Sequence, residues 1–161
     1  MKPAIPSKFK KTTLKGELRW AKLTEQPKGL CYKSKDKYQW EVNLIVPKST
    51  AEKFASRSQS GKTHQDKEGN YYLPLKRKEL GVKEDGDTYE LGYPLVYMKD
   101  DTTKEVDRAT IGNGTSASVV VEMVPYGNNL ISPRLYKVYI EDLVEYKSEE
   151  EDDDDDGFEW D

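Results

Sequence analysis

The sequence predicts a mainly β fold: a small barrel with one short helix after its second strand, followed by a disordered acidic C-terminal tail. Three observations carry this. Apolar residues alternate with polar ones at a period of two in several short stretches, the mark of half-buried strands. Turn residues punctuate the chain at short spacing and leave room for only one helix. The last fourteen of the 161 residues, 148–161, hold ten carboxylates and no lysine or arginine, too much like charge to fold alone. The chain therefore divides into a body, residues 1–147, and a tail, 148–161.

Thr12–Leu23 opens the barrel. Leu14, Leu18 and Trp20 share one phase, which reads as a core face; Leu23 falls out of it and signals a bulge or a strand end. From Tyr38 the even positions Trp40, Val42, Leu44 and Val46 alternate with Gln39, Glu41 and Asn43, and Pro47 closes the strand. Ser49-x-x-Glu52 is a capping box, predicting a short helix to about Gln59. Asn70–Arg77 and Thr88–Met98 follow as strands on either side of a turn at Asp85-Gly86, with Tyr89, Leu91, Tyr93, Leu95 and Tyr97 in one phase of the second. The strongest strands come last, Ser116–Tyr126 and Leu135–Tyr146, joined through Gly127–Pro133. Some six short strands and one helix fit a small barrel better than a βαβ sheet.

Charge is segregated. The whole chain carries 26 Lys plus Arg and 30 Asp plus Glu, a net charge of −4. Setting aside the ten carboxylates of the tail leaves twenty against 26 cations, a body of +6. Residues 1–40 alone hold eleven Lys/Arg against Glu17, Glu25 and Asp36. A basic body with an acidic appendage points to nucleic acid. The scarce residues exclude other chemistry. One histidine, His64, and one cysteine, Cys31, cannot furnish the four ligands of a structural zinc site or an internal disulfide framework. Gly61-Lys62-Thr63 ends like a phosphate-binding loop, but Ser56 stands where that motif needs glycine. Asp152-x-Asp154-x-Asp156-Gly157 starts like a calcium loop whose closing glutamate would fall beyond Asp161. No enzyme, cofactor or metal is expected. Nor is a membrane partner: no apolar run approaches the roughly 18–20 residues of a span, and the basic N-terminus lacks the apolar stretch of a secretory signal.

Single-stranded nucleic acid offers phosphates and exposed base faces, so a protein that binds it needs cations beside flat rings. The stretch Cys31–Trp40 interleaves the two: Tyr32, Tyr38 and Trp40 with Lys33, Lys35 and Lys37, at the connection into the second strand, where an oligonucleotide-binding barrel presents its groove. Trp40 shares its phase with Val42 and Leu44, so core packing and stacking both stay open; Trp20 reads as core. In the last strand Tyr136, Val138, Ile140 and Val144 share one face and leave Tyr139 opposite, beside Lys137. Tyr126 closes a strand next to a Gly-Asn-Asn loop. Lys76-Arg77-Lys78 is a compact basic triplet, from which Arg77 is taken as a phosphate contact. The tail pairs its carboxylates, among them Asp152, Asp154 and Asp156, with Phe158 and Trp160, a combination that imitates a phosphate chain and adds an apolar anchor for a protein pocket.

YQWEVNLIVPK (residues 38–48) before a short helix, IGNGTSASVVVEMVPY (residues 111–126), a final strand ending near Leu143–Tyr146 and the acidic tail together resemble the single-stranded DNA-binding proteins of tailed bacteriophages. The resemblance implies an OB-fold, a protein that coats single strands during replication and recombination in the cytoplasm of an infected bacterium, and stacking roles for Tyr126 and Trp40. It also implies a tail that competes with DNA for the groove and recruits replication proteins such as a polymerase or helicase, and a homodimer in some members. The tail here is short and ends in Asp161 rather than an aromatic. An RNA-binding OB protein, or an acidic-tailed adaptor whose body holds a protein partner, are the alternatives.

Overall fold

The computed structural model describes residues 2–145 except 5, 25–28, 32, 33, 105, 126 and 128; for 29–31 and 34–37 it describes the strands but not the side chains. The elements are β1 (Lys11–Lys22), β2 (Gly29–Cys31), β3 (Ser34–Ile45), α1 (Lys48–Ala55), β4 (His64–Gln65), β5 (Tyr71–Lys78), β6 (Leu80–Val82), β7 (Thr88–Glu90), β8 (Leu95–Met98), a 3-10 turn at Arg108–Thr110, β9 (Thr115–Pro125) and β10 (Ile131–Asp142). Five of them close a ring. β1 lies between β3 and β9, β9 pairs with β10, and β3 pairs with β5, all antiparallel. A parallel contact of β5 with β10 at Arg134 and Lys76 completes it. This is the five-stranded barrel of an OB-like fold, as the sequence predicts. β2 forms a hairpin arm on β3, β4 extends β5, and β8 runs parallel to the far half of β10.

The core is the inward phase of these strands. Trp40, Val42, Leu44 and Val46 are all buried, as the alternation predicts, and Leu18, Leu75, Val119, Val121, Leu135, Val138 and Ile140 meet them across the barrel. The out-of-phase Leu23 is buried too, and the pairing explains it. Arg19 faces Asn43 and Lys22 faces Glu41, so Trp20 and Ala21 together oppose a single β3 residue, Val42. That is the expected bulge, and it corrects one expectation: the extra residue falls at Trp20, which leaves the core stripe and is 68% exposed.

Other boundaries differ for local reasons. The helix begins at Lys48 behind Pro47, with no side-chain cap, and ends at Ala55, so Ser49 lies inside its first turn and does not form the predicted capping box. It follows β3, the second strand of the ring, as expected; the short β2 before β3 is an arm outside the ring. Thr88–Met98 is two strands, not one. Gly92, at φ +82°, turns the chain so tightly against the N-terminal segment that an added Cβ would stand 2.4 Å from the Pro3 carbonyl oxygen. There the Ala4 N–H donates to Tyr93 O at 2.8 Å and the Tyr93 N–H to Lys2 O at 2.9 Å. The final strand starts and ends four residues earlier than expected. A bulge between Ile140 and Asp142 ends its regular alternation, which is why Val144 is exposed rather than part of the apolar face.

Candidate nucleic-acid interface

The rim where β2, β3 and β5 meet carries the clearest combination of ring and charge. Leu30 of β2 pairs with Tyr38, and the Glu79 N–H donates to the Tyr38 carbonyl at 3.0 Å, so the backbone of Tyr38 is held from both sides. It lies one step beyond the buried run that starts at Gln39, and its ring is 45% exposed. On the adjoining strand Lys76 and Lys78 point outward and are exposed, facing Glu41 and Gln39 in register. The Glu41 carboxylate is already engaged, by Lys22 Nζ at 3.2 Å and Gln39 Nε2 at 2.9 Å. Among the described residues neither Lys76 nor Lys78 sits in an ion pair.

Two residues expected in the groove lie inside the barrel instead. Trp40 and Arg77 are register partners on β3 and β5, and both occupy the inward phase. Trp40 is fully buried and its indole Nε1–H donates to the Thr24 carbonyl at 2.7 Å, so no ring face is open to a base. Arg77 is buried as well and can reach no phosphate. Its guanidinium donates to a Glu122 carboxylate oxygen at 2.9 Å, to the Gly92 carbonyl at 2.8 Å, to Leu135 O at 3.1 Å and to Leu91 O. Glu122 also accepts from Arg134 Nε at 2.9 Å and from the Ser7 hydroxyl. Burial pulls the Arg77 pKa down while Glu122 opposes that shift. Burial alone would raise the Glu122 carboxyl, but Ser7, Arg134 and Arg77 outweigh it and hold the group below its ordinary value. The alternation of the basic triplet is the signal that picks Lys76 and Lys78 over Arg77: on a strand the middle residue faces opposite to its neighbours.

Tyr139 and Lys137 stand on a separate strip. β10 is not a neighbour of β3 in the ring. Lys15, Ser118, Tyr139 and Tyr97 are register partners across β1, β9, β10 and β8. The rings of Tyr97 and Tyr139 stack with centroids 5.8 Å apart and planes at 30°. Lys137 Nζ lies 5.9 Å from the Tyr139 centroid and 5.3 Å from that of Tyr136. Beside them Glu141 accepts from Ser118 Oγ at 2.6 Å and Lys99 Nζ at 2.9 Å, contacts that hold its carboxyl below the usual range. Tyr32, Lys33, Tyr126 and the tail residues Asp152, Asp154, Asp156, Phe158 and Trp160 lie outside the described residues, as do the side chains of Lys35 and Lys37. His64 lies on β4; it is exposed and its ring centroid is 5.5 Å from that of Tyr72. Among the described residues no three His, Cys, Asp or Glu side chains come together as a metal site, and no helix is long and apolar enough to cross a membrane.

No protein-family model and no curated protein sequence matches the chain. Solved structures do. The crystal structure of gp2.5, a single-stranded DNA-binding protein encoded by bacteriophage T7, superposes with a TM-score of 0.55 at 17% identity, over 94% of this chain and 96% of that one. The single-stranded DNA-binding protein of bacteriophage Enc34 aligns over 98% of both chains, at 14% identity and a TM-score of 0.49. The likeness to gp2.5 is one of fold along nearly the whole chain.

Proposed function

We propose that the protein binds single-stranded DNA during bacteriophage replication or recombination, with bases stacking on Tyr38 and phosphates following Lys76 and Lys78. The observation that carries this reading is an exposed Tyr38 on β3 of an OB-like barrel together with two outward lysines on β5, the strand paired with it. Tyr32, Lys33, Lys35 and Lys37, close to Tyr38 in sequence, are assigned to the same contact with DNA. Tyr139 and Lys137, with Tyr97, form a second strip on which a longer strand continues, and Tyr126 adds a ring at the loop between β9 and β10. No enzymatic step is assigned. The shared fold with gp2.5 supports the reading, as does the basic body. In the same reading residues 148–161 act as a tethered competitor. Their carboxylates occupy the lysine track at a local concentration on the order of millimolar, while Phe158 and Trp160 are offered to replication proteins.

Titration of labelled oligo-dT with the full chain and with a variant lacking 148–161, at low and moderate salt, tests this. Tail removal should tighten binding, more at low salt, where the charges are least screened. Equal affinities at low salt would remove the competing tail, and equal affinity for duplex of the same length would remove the stacking component. An RNA oligonucleotide in parallel shows whether the sugar is read. The double variant Lys76→Ala, Lys78→Ala should weaken binding and flatten the slope of log K against log salt by about 1.4, since each phosphate contact on a single strand contributes about 0.7. A slope unchanged from the parent's would move the phosphate track elsewhere.

A further inference from the structure

Among the described residues two besides glycine have a positive φ, Trp20 at 54° and Asn129 at 66°. Asparagine enters the left-handed region readily; a bulky aromatic does so only against steric resistance. The extra residue of a bulge in that conformation is ordinarily glycine. Here it is the most exposed large apolar side chain of those described. The strained backbone is fastened rather than slack. The Trp20 N–H donates to Asn113 Oδ1 at 2.8 Å, the Gly114 N–H donates to the Leu18 carbonyl at 3.1 Å, and pairing with β3 resumes at Lys22. Leu18 and Leu23 on either side are buried, so the core is complete without the indole. The bulge lifts Trp20 out of that stripe at the rim where β1 runs into the β2–β3 arm, and OB barrels engage oligonucleotides with this connection.

We infer that Trp20 is a stacking platform for a base of bound single-stranded DNA, an inference that rests on the binding reading above. The surrounding charges say what kind of contact it makes. Arg19 is engaged by Glu17 at 2.7 Å and Glu68 at 3.1 Å, and Lys22 by Glu41 at 3.2 Å. The two cations nearest Trp20 in sequence are thus already paired, so the contact inferred is ring on base with no phosphate component from either.

The test uses the full chain with Trp20→Gly, measured by anisotropy of labelled oligo-dT at two salt concentrations and by thermal melting. Glycine accepts the positive φ without a clash, so the variant should melt at or above the parent's temperature. It should bind about tenfold more weakly, in line with the loss of one stacked base, with the salt slope unchanged. As a second measurement, in full-length Trp160→Phe the indoles that remain are Trp20 and the buried Trp40, and oligo-dT should protect the emission from collisional quenching by acrylamide. If the parent binds while Trp20→Gly binds within twofold of it and oligo-dT gives no protection, the inference fails and the binding reading stands. If the parent itself does not bind single strands, the binding reading fails first. Loss of self-association with unchanged DNA affinity would make Trp20 a protein contact and overturn the inference.

Discussion

Replacing Glu122 by glutamine is expected to lower stability by about 3–5 kcal/mol, the usual cost of removing one partner from a buried ion pair. The carboxylate is fully buried and serves two guanidiniums, Arg77 and Arg134. Glutamine removes its charge and leaves the Arg77 guanidinium uncompensated in the interior. Arg77 cannot move to water without abandoning the carbonyls of Leu91, Gly92 and Leu135, through which it ties the chain between β7 and β8 to β10. Urea denaturation measures the effect; a loss under about 1 kcal/mol would mean that the pair is solvated. The same group gives an acid dependence. The folded-state pKa of Glu122 lies below its unfolded value, so its contribution is complete above the unfolded carboxyl range and is lost as pH falls through the folded value. The parent should lose stability on acidification across that window, and Glu122→Gln should show a shallower loss.

This cluster also shows where the sequence stops being legible. The inward stripe of β3 is plain in the alternation from Trp40 to Val46, and the out-of-phase Leu23 signals a bulge or a strand end; both occur, the bulge at Trp20 and the end of β1 at Lys22. What local pattern cannot show is a partner far along the chain. The inward face of Arg77 is set by Glu122, 45 residues later. The break inside 88–98 depends on Arg77 and on Pro3, and the closure of the ring on one parallel contact between β5 and β10. The candidate site divides in the same way. Tyr139 and Lys137 are readable as outward-facing residues, whereas Tyr38 shares the phase of the buried Trp40 and is exposed because the buried run of β3 begins only at Gln39. Lys76 and Lys78 needed the phase of β5, which the Trp40–Arg77 register supplies. Phase alone puts Trp20 in the core because it assumes an unbroken strand, and the ladder with β3 is interrupted at that residue.

Trp40 is the position where core and groove compete, and magnitudes decide between them. A buried tryptophan removes roughly 200 Å² from water, worth about 5 kcal/mol at about 25 cal/mol per Å², whereas one stacked base is worth about 1–3 kcal/mol. Full burial and the hydrogen bond to Thr24 place Trp40 on the core side of that comparison. Trp40→Ala should therefore cost about 3–5 kcal/mol of stability. Trp40→Leu separates the two roles, since leucine keeps apolar volume in the core but offers no flat ring. It should destabilise by less than alanine, leave the Thr24 carbonyl without its indole donor, and bind oligo-dT within twofold of the parent wherever melting shows the variant folded. Tyr38→Leu makes the opposite exchange. Its ring lies at the rim and is nearly half exposed, so the substitution should cost little stability and most of one stacking contact. A folded Trp40→Leu that lost tenfold in affinity would return Trp40 to the groove and require the β3 strand to turn over on binding, exchanging its buried face for its exposed one. The ladders of β3 with β1 and β5 and the indole hydrogen bond to Thr24 oppose that rotation, because it would break them and carry Val42 and Leu44 out of the core with Trp40.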